Sequence, residues 1–404
     1  MRSRTALILI VVTLAGAGLL SGQGRGRGGG QGAQVKPGEE CPPGTTEVRP
    51  GRCQAPETPP PSIVDYRPKP TLVVPAHPVP KAKYPVIDLH AHPPPLTSAQ
   101  TVETVVSALD ALNLRMMIVT GTPGPVSSEQ MRQYQSVVAG TRHAARFAFF
   151  TSVSFREMGP GFAQKAVAQL EADVKAGARG LGEIGKSFGL TTQKADGTRL
   201  KLDDPELDPI WAAAARLGIP VMLHVGDPAS FWQPFDYSNE RWLEMALFPS
   251  RRCPPDRCLA FEELVAERDR LFKKHPKTKF VAAHFGWQAN DLGRLSKLLD
   301  EAPNVYLETG AILYDLGRQP RVARDFMVKY QDRVLFGKDV FAPDEYPYYW
   351  RTFETADDYF DYYRHYHAFW KLYGLALPDP VLRKLYFENA LKLIPGLPAA
   401  DFPK

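Results

Sequence analysis

Val86-Ile87-Asp88-Leu89-His90-Ala91-His92 is the stretch that decides how this chain folds. Side chains two apart on a strand point the same way, so His90 and His92 face one side while Ile87, Leu89 and Ala91 pack on the other. Seven further short apolar runs follow, at 116–120, 147–153, 178–185, 221–225, 280–285, 305–309 and 334–339. Segments of helical period lie between them at 100–112, 161–175, 208–217, 261–274 and 292–299. Eight βα repeats predict an α/β chain closed as a (β/α)8 TIM-like barrel. An open doubly wound sheet would carry a Gly-rich phosphate turn between a strand and a helix, and no Gly-x-Gly-x-x-Gly follows any of these runs. Gly180-Leu181-Gly182 falls inside a strand run instead.

The flanks read differently. Arg2 and Arg4 precede an apolar run at 6–20, followed by Ser21, Gly22 and Gln23, which predicts a signal peptide over 1–22 and an exported, periplasmic or secreted protein. That run is shorter than the ~20 residues of a spanning helix, so no stable membrane partner is expected. Residues 23–83 form a Pro/Gly-rich tail with little to bury, and the barrel occupies 84–397. The four cysteines fall into two local pairs, Cys41 with Cys53 and Cys253 with Cys258, which fits small disulfide loops in an oxidising compartment. Across 404 residues the chain is 44% hydrophobic and 23% charged, as ordinary globular proteins are. A net charge of +5 with no basic stripe excludes a nucleic-acid partner. A homo-oligomer stays open.

Chemistry gathers at the strand ends. A His-x-His pair alone could be two hydrogen-bonded rim histidines, but the feature recurs in Met222-Leu223-His224-Val225-Gly226 and Val281-Ala282-Ala283-His284-Phe285-Gly286. The last run ends in a carboxylate, Phe336-Gly337-Lys338-Asp339. Imidazole and carboxylate suit zinc and similar ions, and barrel enzymes place their sites on this rim. Glu183, in Gly182-Glu183-Ile184-Gly185, either bridges to a second ion or pairs with Arg179 or Lys186. Lys186 is a candidate substrate-charge binder or carboxylated lysine, and Glu308 a support behind a histidine. In the insertion after His224, Arg241 is a candidate carboxylate binder, balanced by the reading of a plain surface loop stapled by its cysteines. The aromatic stretch at 346–370 reads as core packing rather than a lid.

The series His90-x-His92, His224, His284 and Asp339 resembles the amidohydrolase superfamily, in its amidohydrolase-related branch that includes decarboxylases of the aminocarboxymuconate-semialdehyde type. Gly218-Ile219-Pro220-Val221, Ala283-His284-Phe285-Gly286 and Glu388-Asn389-Ala390 add to the likeness, which spans roughly 84–397. The resemblance implies His90, His92, His224 and Asp339 as ligands of one divalent metal, usually zinc, with His284 as an acid or base and Asp339 also taking the proton of a metal-activated water. Two departures stand out. Glu183 is closer to the strand of two-metal, deoxyribonuclease-like relatives, and Lys338 replaces a small residue.

The leading expectation is a metal-dependent hydrolase of a small amide, ester or lactone. The alternatives are a metal-dependent nonoxidative carboxy-lyase acting on an aromatic or unsaturated acid, and a secreted barrel that binds a small molecule without catalysis.

Overall fold

A computed structural model describes residues 32–121, 126–155, 158–367 and 370–403. The signal-peptide reading lies outside them. The chain divides into two compact units, Met1–Pro70 and Thr71–Lys404. In the first, β1 (Thr46–Arg49) and β2 (Arg52–Gln54) form an antiparallel hairpin, and a disulfide joins Cys41 to Cys53.

The second unit alternates strand and helix. Its order is β3 (Val86–His92), α1 (Ala99–Leu112), β4 (Leu114–Val119), α2 (Ser128–Ala139), β5 (Phe147–Phe149), α3 (Phe162–Lys175), β6 (Leu181–Ile184), α4 (Asp208–Leu217) and β7 (Val221–Leu223). Then come α5 (Trp242–Leu247), α6 (Phe261–Lys274), β8 (Phe280–Ala282), α7 (Leu292–Glu301), β9 (Val305–Glu308), α8 (Leu313–Arg318), α9 (Pro320–Lys329), β10 (Val334–Leu335) and β11 (Asp339–Val340). The helices α10 (Tyr346–Glu354), α11 (Asp379–Arg383) and α12 (Asn389–Leu393) complete it.

Strands β11-β3-β4-β5 and β6-β7-β8-β9-β10 form two parallel arcs. A bridge between Thr151 and Leu181 joins β5 to β6. β10 and β11 are two ends of one broken strand, and the Leu89 N–H donates to Phe336 O at 3.0 Å across the break. The barrel predicted from the eight runs is therefore the barrel observed.

Local chemistry sets the helix ends. Ser98 accepts from the Thr101 N–H to start α1, and Ser127 and Gln130 form a reciprocal capping box on α2. The aromatic stretch after β11 packs inward as expected: Tyr346, Tyr349, Trp350 and Phe353 of α10 are fully buried, and Phe336 lies 4.8 Å from Trp350 by ring centroid. Each such side chain stabilises the fold by roughly 1.5–3 kcal/mol.

Two strand ends differ from their sequence reading, and both differences fall at the site. The run at 280–285 ends as a strand at Ala282 and turns into left-handed backbone, with φ of 56°, 54°, 58° and 53° at His284, Phe285, Gly286 and Trp287. The run at 334–339 is interrupted at residues 336–338. Gly337 allows that break, because a Cβ there would collide with Glu308 Oε2 and lie 2.8 Å from His90 Cβ.

Candidate metal centre and active site

His90 and His92 close β3, and the register that pairs Asp339 with Ala91 sets the Asp339 carboxylate beside them. The His90 and His92 Nε2 atoms are 3.0 Å apart, and Asp339 Oδ1 is 3.5 Å from His92 Nε2 and 4.0 Å from His90 Nε2. Glu183, from β6, enters the same cluster. Its Oε2 lies 3.1 Å from His92 Nε2 and 3.4 Å from His90 Nε2, while its Oε1 lies 2.5 Å from His224 Nδ1 and 3.9 Å from His284 Nε2. Two ligand atoms each about 2.1 Å from one ion are roughly 3.0–3.4 Å apart, so the spacing of His90, His92 and Glu183 fits a divalent ion. Nitrogen with carboxylate oxygen is a donor set suited to zinc or manganese.

Support behind the cluster is dense. Glu308 accepts from His90 Nδ1 at 3.0 Å, from the His284 backbone N–H at 2.5 Å and from the Gly310 N–H at 2.6 Å. Holding the His90 proton on Nδ1 leaves Nε2 as the free donor, the arrangement that metal-binding histidines use. A Glu308→Gln chain is expected to bind its ion about 10- to 100-fold more weakly with little change in fold, checked by competition with a chelating indicator. An unchanged affinity would show that Glu308 only packs.

His284 reaches the cluster through the left-handed turn. Such backbone costs about 1–2 kcal/mol for each non-glycine residue, so something must hold it. Buried Arg268 does so, donating to Gly286 O at 2.7 Å and Gln288 Oε1 at 2.6 Å. At Gly286, with φ of 58°, a Cβ would lie 2.5 Å from the Arg268 guanidinium. Trp287 then covers both imidazoles, at centroid distances of 4.6 Å from His284 and 5.9 Å from His224.

The electrostatics follow from burial and pairing. Burial opposes a charge on His90, yet Glu308 and Glu183 on either side push its pKa well above the usual histidine range. Burial likewise opposes ionisation of Glu183, but His90 and His224 hold its carboxyl well below the usual range. Glu308 falls to about 2, with His90 overcoming the effect of burial. His284 goes the other way, to about 4, through burial and then its neighbour His224. Its Nδ1–H donates to the Gly310 carbonyl at 2.9 Å, so its Nε2 carries a lone pair toward Glu183. That arrangement leaves His284 Nε2 available to accept a proton or to ligate an ion.

The structure therefore brings His90, His92, Glu183, His224, His284 and Asp339 together. Glu183 is a central member of the cluster, and its ionic partners are His90, His92, His224 and His284 rather than Arg179 or Lys186. Lys186 pairs with Asp227 at 2.8 Å and stays half exposed. Arg241 does not reach the cluster as a substrate carboxylate binder: it is buried, held by Glu244 Oε2 at 3.0 Å and the Tyr314 hydroxyl at 2.5 Å, and stacked 4.1 Å over the Tyr314 ring. Lys338 is also buried, with its ammonium on Glu345 and the Val340 carbonyl at 2.8 Å. Cys253 is bonded to Cys258 in the same insertion. Sequence reading missed Trp287 and Arg268, and the positive-φ glycine in Phe285-Gly286-Trp287 was the one signal that could have marked the turn.

The family model described as amidohydrolase matches residues 87–396, most of the chain. The chain belongs to the amidohydrolase family. This amidohydrolase is thus one of a family of metal-dependent enzymes, as its strand-end residues implied. Among solved structures it is similar to a 2,6-dihydroxybenzoate decarboxylase from Rhizobium, at 17% identity and a TM-score of 0.47, over 77% of this chain and 98% of that one. It is similar to a dihydroxybenzoic acid decarboxylase from Polaromonas, solved with manganese and 2-nitroresorcinol, at 16% identity and a TM-score of 0.49, over 77% and 96%. It is also similar to a 4-oxalomesaconate hydratase from Rhodopseudomonas palustris, at 16% identity and a TM-score of 0.49, over 78% and 97%. None of these three is named a hydrolase. No curated protein matches the chain.

Proposed function

We propose that this amidohydrolase holds two divalent ions, zinc by donor preference, across Glu183 and hydrolyses a small amide, ester or lactone. The observation that supports the reading is the placement of Glu183, whose Oε2 faces His90 and His92 while its Oε1 faces His224 and His284. One ion would take His90, His92, Asp339 and Glu183, and the other Glu183 and His284, while His224 Nδ1 hydrogen-bonds the Glu183 carboxylate at 2.5 Å and leaves its own buried Nε2 without a partner among the described residues. This differs from the single ion expected from the family resemblance. Bound there, the ions would supply Lewis acidity and a lowered pKa for water.

The chain's own groups account for the rest. Asp339 has the most exposed side chain of the cluster and accepts the proton released as water attacks the substrate carbonyl. His284 offers its bare Nε2 as a ligand, and Trp287 shields both imidazoles from bulk water. Export to an oxidising compartment belongs to the same reading, motivated by the charged and apolar start of the chain and by its two disulfides.

Nonoxidative decarboxylation is the second reading, since Trp287, packed 4.6 Å from His284, also gives the neighbouring cavity an aromatic side on which an unsaturated or aromatic acid could stack. It is also the reaction in the names of two of the solved proteins above, although folds that distant do not decide the chemistry here. One experiment separates the two. The metal-loaded protein is offered small amides, esters, lactones and aromatic acids, with titration of released acid beside mass spectrometry of carbon dioxide. Acid release without carbon dioxide is expected; carbon dioxide as the product would replace hydrolysis with decarboxylation.

A further inference from the structure

Beyond Trp287 lies a cavity of about 300 Å³, at the lower end of small-ligand pockets and therefore sized for one ring. Its wall combines two aromatic rings, Trp287 and Tyr314, with the amides Gln233 and Asn290 and the carboxylates Glu240 and Asp315, and no lysine, arginine or histidine lines it. Both carboxylates already grip Arg318, each at 2.9 Å, which offsets their charge but leaves oxygen lone pairs to accept further hydrogen bonds. Trp287 is 8% exposed, and its Nε1–H is buried with no acceptor among the described residues. Two exposed aromatics are linked to the wall by chain or by contact. Tyr237 precedes Ser238 of the wall and is 72% exposed, and Trp370, 43% exposed, stacks 4.6 Å from the Arg318 guanidinium.

The ligand must suit an aromatic wall edged by amides and by carboxylates that are already paired. A carboxylate would face Glu240 and Asp315 with no cation of its own in the lining. An ammonium would lie close to Arg318, which already offsets both carboxylates. A hydroxyl donates and accepts, and the C–H face of a sugar ring packs on an aromatic face. We propose that this cavity binds a neutral, hydroxyl-rich ring, a single sugar residue, as the non-reacting part of the substrate. The inference rests on the proposed hydrolase site, because the Trp287 that floors the cavity also covers His224 and His284.

Saturation-transfer NMR on the metal-loaded full chain tests it, with the methyl glycosides of glucose, galactose, mannose and xylose as neutral probes and glucuronate as the anionic one. At least one glycoside is expected to bind, with glucuronate at least tenfold weaker. A chain carrying Gln233→Ala and Asp315→Asn should lose at least fivefold in glycoside affinity, and Gln233→Ala alone, at an exposed position, should move the same way. The inference is overturned if no glycoside binds, if glucuronate binds as well as its neutral counterpart, or if the substituted chains bind like the parent. A His92→Ala chain strands no buried carboxylate and leaves the cavity lining unchanged, so it is the control that alters the metal site alone. Glycoside binding retained there, with no hydrolysis of sugar esters or lactones by the parent, would remove the hydrolase reading and leave this one standing.

Discussion

An Asp339→Asn chain is expected to keep most of its metal and lose roughly 10²- to 10⁴-fold in kcat, the usual contribution of a positioned general base. Asparagine preserves the shape of the side chain and an oxygen near His92, but it cannot take a proton. The backbone at Asp339 has φ of 81°, a conformation that few side chains other than Asn and Asp adopt, so asparagine is also the replacement the fold tolerates best. Pairing of β11 with Ala91 and His92 holds it there. Steady-state rates on whichever substrate the panel identifies, together with metal content, check the expectation. A fall of less than tenfold with metal retained would take proton transfer away from Asp339.

Removing His90 should do more. It contacts Glu183, Asp339 and His92 through Nε2 and Glu308 through Nδ1, so a His90→Ala chain loses a ligand and leaves two buried carboxylates facing a void. Loss of the ion bound there, activity at background and a destabilisation of about 3–5 kcal/mol are expected, the cost of leaving buried charge uncompensated. Thermal unfolding beside metal analysis separates the two effects. His92→Ala gives a second route, because His92 is partly exposed and leaves no carboxylate stranded; a His92→Ala chain that binds metal and turns over like the parent would contradict the ligand assignment.

Much of this was written in the order of residues. Period-two alternation at 86–92 and the repeated apolar runs define the barrel, because a parallel strand buried on both faces leaves a continuous apolar signature. The strand-end histidines, Glu183 and Asp339 were legible for the same reason: a barrel delivers successive strand ends to one rim. What was not legible depends on long-range contacts or unusual backbone. The left-handed turn at His284 is held by Arg268, sixteen residues earlier and in a different element, and no periodicity encodes that bond. Arg241 looked like a free cation on a loop, and only the fold shows Glu244 and Tyr314 closing around it. The two-sided position of Glu183 is likewise a property of four converging strands.

Metal per chain, measured by elemental mass spectrometry on gently purified protein reconstituted with zinc, tests the Glu183 bridge most directly. About two ions per chain are expected in the parent and about one in a Glu183→Ala chain, because the bridge serves both half-sites. A single ion in the parent, unchanged when Glu183 is replaced, would contradict the bridged centre and return the site to one metal.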